Sequence, residues 1–272
     1  MAEKPPVQSH QPTIDTSVSH TARIWNYWLG GKDNYPVDRE LGDLIQQGMP
    51  QIVDNARADR AFLERAVTYL AGEVGIRQFL DIGTGLPTAN NTHEVAQSVA
   101  PDSRIVYVDN DDLVLAHARA LLTSSPQGAT EYVHADVCDT DRVLAEAARV
   151  LDFSRPVALM LLGVLNFVQD DDEARDLVGR LMDALPEGSY LAITHPSAVV
   201  QPEAMEEATR QWNENGTPYL VLRSPERIAE LFEGFDLIEP GVTSCSLWRP
   251  QPTEVGTPQP VDEFGGVARK SG

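Results

Sequence analysis

From about residue 77 onward, short apolar runs alternate with stretches in which apolar positions recur every three or four residues. Short apolar runs that end in turn or polar residues are strands, and the longer periodic stretches are amphipathic helices. Strands are predicted at RQFLDIG (77–83), SRIVYVDND (103–111), ATEYVHADV (129–137), within PVALMLLGVLNFV (156–168) and at SYLAITH (189–195). Helices are predicted over 91–100, 113–122, 141–150, 171–185 and 203–214. Ser224 followed by Pro225 opens one more, because a serine cap with proline at the first helical position is a favoured start. FDLIEPGVT (235–243) and GGVARK (265–270) read as two closing antiparallel edge strands. Strands alternating with helices make βαβ units, so the fold class is α/β with a mostly parallel sheet of seven strands between helical layers.

Ahead of this pattern the chain changes character twice. Residues 1–20 are polar and lack the apolar stretch of a signal peptide, so they are expected to form a disordered tail. Residues 21–72 are helical in periodicity but are interrupted by ARIWNYWLGGKDNY (22–35). Three regions result: a tail (1–20), a helical lid or extension (21–72) and an α/β domain (73–272).

The 272 residues are 42% hydrophobic and 23% charged, which suits one large α/β domain with additions. The formal net charge of −20 repels phosphate backbones, and no basic stripe offsets it, so nucleic acid is not an expected partner. The longest apolar run, 157–165, falls short of the roughly 20 residues of a membrane helix. A cytoplasmic protein with no membrane partner is expected. In that compartment Cys138 and Cys245 are expected as two reduced, buried thiols, the alternative being a single disulfide. Neither they nor His93, His117, His134 and His195 show metal-ligand spacing, so no metal is expected.

The chemistry concentrates at strand tips. Asp81-Ile82-Gly83-Thr84-Gly85 ends the first strand just before a helix, where glycines let the backbone turn sharply and approach a ligand. Asp109 ends the second strand and Asp136 the third. Acids at the tips of consecutive strands share the carboxyl edge, where open α/β sheets bind ligands, and the second is placed to accept both hydroxyls of an adenosine ribose. Each is also a good helix cap, and the glycine pair is also an ordinary tight turn. A dinucleotide would favour GxGxxG, yet Thr88 stands at the third glycine position and Pro87 lacks an N–H. Asp81 suits a ligand carrying a positive amine, which favours S-adenosyl-L-methionine over a nicotinamide dinucleotide.

The runs FLDIGTGLPTANNTHEVAQ, RIVYVDND, HARALL, PVALMLLGVLNFV, SYLAITH, GGVARK and ARIWNYWLGGKDNYPVDRE resemble an actinobacterial family of S-adenosylmethionine-dependent methyltransferases with unassigned substrates, over about residues 19–270. The resemblance implies a three-layer, Rossmann-like class I methyltransferase fold in which the last strand inserts antiparallel between the fifth and sixth. It implies that Asp81, Gly83 and Gly85 line the methionine half of the cofactor, that Thr84 between them is a cofactor-binding residue, and that Asp109 holds the ribose, with Asn110 beside the adenine. It also implies that Asp136 and Val137 touch the adenine edge and that Gly163 flanks the sulfonium.

Transfer of a sulfonium methyl needs alignment more than a nucleophile, with a base only where the acceptor is protonated. Asn166, just beyond strand four, and His195, which ends strand five, are the candidates for acceptor positioning or proton transfer; His195 is equally readable as a histidine that caps a strand or bonds a backbone group. The patch from Trp25 to Tyr35 around the Gly30-Gly31 hinge is the candidate lid, with Tyr27, Trp28, Lys32, Asn34 and Tyr35 as candidate lid or substrate residues; the competing reading is that its aromatic residues simply pack the N-terminal helices. The expected function is methyl transfer to a small-molecule acceptor. The competing readings are a non-catalytic protein that holds S-adenosylmethionine or its demethylated product, and a nicotinamide-dependent oxidoreductase.

Overall fold

The computed structural model describes residues 15–121, 124–251 and 258–272. Residues 1–14 of the expected tail, and the end of the helix expected to reach 122, lie outside the described residues. The strands are β1 (Gln78–Ile82), β2 (Arg104–Asp109), β3 (Ala129–His134), β4 (Ala158–Leu162), β5 (Tyr190–Pro196), β6 (Asp236–Leu237), β7 (Thr243–Ser244) and β8 (Glu263–Arg269). They form one sheet in the order β3-β2-β1-β4-β5-β8-β6, with β7 also paired to β8. β1 to β5 are parallel, and β8 runs antiparallel to its partners β5, β6 and β7.

The helices are α1 (Thr21–Trp28), α2 (Pro36–Gly48), α3 (Ile52–Thr68), α4 (Thr92–Val99), α5 (Asp112–Leu121), α6 (Thr140–Ala147), α7 (Asp171–Asp183), α8 (Pro202–Asn215) and α9 (Pro225–Glu230). Alternation along the strands feeds two cores. Leu80, Ile82, Val106, Val108, Leu159 and Leu161 meet Val143 of α6, Leu177 and Leu181 of α7, and Ile228 of α9. Their neighbours Phe79, Ile105, Tyr107, Ala158 and Met160 meet Phe62 and Val67 of α3 and Val95 of α4. Strands apolar on both faces are what a sheet covered by helices on both sides requires.

Three expectations are revised. GGVARK is not an edge strand: β8 is buried along Glu263–Ala268 and pairs with β5 from Tyr190↔Arg269 to Pro196↔Glu263, which places it inside the sheet as the resemblance implied. An edge position would leave both its faces and one ladder open to water. Cys138 is exposed rather than buried, while Cys245 is buried, and both are free thiols. The described end of the tail is tied down, because the Ser19 hydroxyl donates to the Asn215 carbonyl at 3.2 Å and Arg23 Nη1 to the Asp15 carbonyl at 3.0 Å.

The N-terminal helices divide their packing. Ile24, Trp28, Ile45 and Ile52 pack with Met205, Ala208 and Trp212 of α8, and together they form a cap beyond the carboxyl edge of the sheet. The rest of α3 belongs to the sheet core. Asp38, wholly buried, holds the cap's entry: it accepts from the His20 N–H at 2.9 Å, from Arg23 Nε at 3.0 Å and from the Tyr35 N–H at 2.8 Å.

Removing one partner of a buried ion pair strands the other charge. Asp38→Ala is therefore expected to lower unfolding stability by about 3–5 kcal/mol in guanidinium titrations. A loss below about 1 kcal/mol would mean that Arg23 is rescued elsewhere.

Candidate active site

A cavity of about 310 Å³ lies over the carboxyl ends of β1, β2 and β4, roofed by α1 and walled on one side by α3. Two glycine turns shape its floor. Gly83 sits at φ +77° and donates its N–H to the Val108 carbonyl at 2.8 Å. A Cβ there would come within 2.5 Å of Val164, so β1 ends against the loop after β4 only if the residue is glycine. Gly163, at φ +62°, ends β4, and no atom stands within 4 Å of where its Cβ would be.

The three strand-tip acids do converge on this cavity, and a fourth acid joins them. Asp81 is 5% exposed and accepts from the Thr92 hydroxyl at 2.5 Å; burial pushes its pKa up to about 6. Asp109 accepts the Gly85 N–H on one oxygen and the Asp111 N–H on the other, each at 2.9 Å, which leaves a free lone pair on each. Burial still holds its pKa above the ordinary carboxylate value. Asp136 is exposed, and although its partial desolvation acts the other way, the Cys138 N–H and the Asn110 amide, both donating at 2.9 Å, hold its carboxyl below the usual range. Val137 lines the wall beside it, and the Thr84 hydroxyl meets the Tyr132 hydroxyl at 3.0 Å.

The fourth acid, Asp59, comes from α3 and was not read from the sequence. It accepts from the Thr194 hydroxyl at 2.6 Å, and burial raises its pKa. Arg60 beside it is the only lysine or arginine among the described wall residues, and its Nη2 donates to the Ala89 and Asn90 carbonyls at 3.2 and 3.0 Å. Asn55, Asp59 and Leu63 fall at helical spacing on the buried stripe of α3. A polar residue within such a stripe was the available signal.

This charge pattern decides which group fits. A pyrophosphate would need free amides at the α4 N-terminus. There, Asn91 and Glu94 form a reciprocal capping box and the His93 N–H is taken by the Tyr107 hydroxyl at 2.8 Å. Glu94 adds negative charge at the same end. A ligand with a cationic centre and a ribose diol fits the donor and acceptor set; a dinucleotide does not.

The roof is built from α1, and of the aromatic residues in the expected patch Trp25 alone lines it. Ala22, Trp25, Asn26 and Leu29 line the cavity at the i, i+3, i+4, i+7 spacing of one helix face. Tyr27, Trp28, Lys32, Asn34 and Tyr35 lie outside its wall. The Tyr27 hydroxyl donates to Asp43 at 2.6 Å and Trp28 Nε1 to the Gly42 carbonyl at 3.3 Å. Asn34 is fixed by Asn26 and Gly31, Tyr35 lies under the Arg23 guanidinium at 5.2 Å, and Lys32 is exposed.

A second cavity, of about 50 Å³, adjoins the first and shares Thr21, Trp25, Gly163 and Phe167 with it. Asn166 lines this one, as does Trp28. His195 lines neither. It has no exposed surface, its Nδ1 lies 2.8 Å from the Pro196 carbonyl, and Arg223 Nη1 donates to its Nε2 at 2.8 Å. Burial depresses its pKa to about 3, so the ring is neutral with both nitrogens occupied, which denies it a role as a proton acceptor at the cavity.

The family model of S-adenosyl methyltransferases matches residues 7–271. A DUF574 family protein from Streptomyces avermitilis MA-4680 is 44% identical with a TM-score of 0.89, over 94% of this chain and 99% of that one. A structure from Thermobifida fusca YX, provisionally assigned as a methyltransferase, is 42% identical with a TM-score of 0.86, over 95% of this chain and 97% of its own. No curated protein matches the sequence. The match of nearly the whole chain to the family model, on a class I methyltransferase sheet, makes this protein a member of the S-adenosyl methyltransferase family, which uses S-adenosyl-L-methionine as methyl donor.

Proposed function

We propose that the larger cavity seats S-adenosyl-L-methionine across the tips of β1, β2 and β4 and that the acceptor of its methyl group is a small molecule. The observation that carries this reading is the gathering of Asp59, Asp81, Asp109 and Asp136, four acids, around a cavity whose wall holds one arginine, Arg60. Bound cofactor supplies a methyl group activated by its sulfonium charge. Asp81, with the Gly83 and Gly85 turn, takes the amine end, and the free lone pairs of Asp109 take the ribose hydroxyls. Asn110, Asp136 and Val137 border the adenine, while Gly163 leaves room beside the sulfur. Thr84 braces the loop through Tyr132.

Trp25, rather than the aromatic residues after it, provides the roof. Covering the site excludes water from the transfer. The second cavity adjoining Gly163 supports a catalyst over a protein that merely stores the cofactor, because it gives an acceptor a place to stand. The net charge of −20 argues against nucleic acid as that acceptor. Among the described residues no helix is long and apolar enough to cross a membrane. Together with two free thiols this supports a cytoplasmic setting, and relatives from Streptomyces and Thermobifida support an actinobacterial one.

Asp109→Ala removes an ionised acceptor of two hydroxyls. Isothermal titration of S-adenosylhomocysteine is expected to show a loss of about 1.5–3 kcal/mol, roughly 10- to 150-fold in Kd. Unchanged affinity would remove Asp109 from the ribose site, and tight NAD binding would overturn the whole reading.

Asp81 titrates near pH 6 in the free protein, and a cationic ligand favours its ionised form. Affinity for S-adenosylmethionine is therefore expected to rise from pH 5 to pH 7 as Asp81 loses its proton, and to level off above its pKa. Asp81→Asn should flatten that rise and bind more weakly at pH 7. A wild-type profile flat over the same range would contradict a contact between Asp81 and the amine.

A further inference from the structure

The second cavity carries polar chemistry that cofactor binding leaves unused. Asn166, 4% exposed, and Glu263, 2% exposed, both line it, and Asn166 Oδ1 and Glu263 Oε1 are buried oxygens with no protein hydrogen-bond partner. The Thr209 hydroxyl, on the α8 side of the same cavity, is a third. Buried acceptors without partners are costly, and three on one small cavity point to a ligand that donates hydrogen bonds.

The rest of the wall narrows the class of that ligand. Trp25, Trp28, Met205, Trp212 and Leu220 make it apolar, and no lysine, arginine or histidine lines it among the described residues. An anion would find no counter-charge, whereas a cation would find a carboxyl group and three indole rings, whose faces attract positive charge. A hydroxyl ligand would supply one donor, where an amine supplies two or three. At roughly 10–15 Å³ for each water-sized group, the volume takes about four heavy atoms, the amine end of a molecule with an apolar body.

We propose that this cavity is the acceptor site and that the acceptor is an apolar amine, its nitrogen donating to Asn166 Oδ1 and Glu263 Oε1. The proposal rests on the cofactor reading above, because Thr21, Trp25, Gly163 and Phe167 line both cavities. Burial, reinforced by the charges of Asp59 and Asp262, keeps the Glu263 carboxyl protonated well above the ordinary range when no cation is beside it. An ammonium group favours its ionised form. Return of one proton from the nitrogen to Glu263 Oε1 then leaves a neutral carboxyl and a neutral amine with its lone pair free. Asn166 and Thr209 hold the nitrogen, and Glu263 holds or releases its proton.

The test uses the full-length protein with saturating S-adenosylhomocysteine and n-butylamine as probe against n-butanol, followed by ligand-observed NMR. The amine is expected to bind about tenfold or more tighter than the alcohol. Glu263→Gln should erase that preference, and Asn166→Ala should weaken it. Affinity of both variants for S-adenosylhomocysteine, measured by calorimetry, should stay within about twofold of wild type, which also reports that they fold. Equal binding of amine and alcohol, no binding of either, or a preference that survives Glu263→Gln would each overturn the proposal. Failure of wild type to bind S-adenosylhomocysteine would instead overturn the cofactor reading, and the same titration without it would still judge the cavity.

Discussion

Keeping carboxylates out of water is the constraint on which the site depends. Asp59, Asp81 and Asp109 each sit at the carboxyl edge of the sheet with pKa values raised by burial. Dehydrated charge of one sign is stable only with donors around it or a cation beside it. The protein supplies part of this: two amides on Asp109 and hydroxyls from Thr92 and Thr194 on the other two. What remains is a negative potential in a covered cavity, and that selects a positively charged ligand over a phosphate.

The cap serves the same constraint from above. Asp38 fixes the start of α1 against α2, which sets the face carrying Trp25 and Leu29 over the cavity. Asp262 does similar work at the other side. It accepts the N–H groups of Val199, Val200 and Gln201, all at 2.7 Å, and donates its own N–H to Asn55 at 3.2 Å. The loop into α8, the start of β8 and the buried stripe of α3 are thereby joined. Since α8 and β8 supply Thr209 and Glu263, the same carboxylate holds two walls of the second cavity in place.

Much of this was legible from local pattern. The runs holding β1 to β5 and most helices follow from periodicity, and Asp81, Asp109 and Asp136 come together because parallel strands end at one edge. Less legible was whatever long-range pairing decides. GGVARK reads as an edge by position, yet its burial on both faces requires a place between β5 and β6. Asp59 is invisible as a site residue until α3 is laid against β5, and Glu263 until β8 is inserted. His195 failed in the opposite sense: its place at a strand end was right, but Arg223 arrives from 28 residues away in sequence to occupy the ring. For the aromatic patch, helical phase was the deciding information. Residues 22, 25, 26 and 29 share the face that roofs the cavity, while Tyr27 turns to α2 and Trp28 bonds α2 and lines the second cavity.

The most direct test of the central claim is a crystal structure of the protein with S-adenosylhomocysteine. The account predicts the amine end beside Asp81, the ribose hydroxyls on Asp109, the adenine between Asn110 and Val137, and the sulfur beside Gly163, facing the cavity of Asn166 and Glu263. A ligand seated elsewhere, or lying the other way round with its adenine over Gly163, would contradict it.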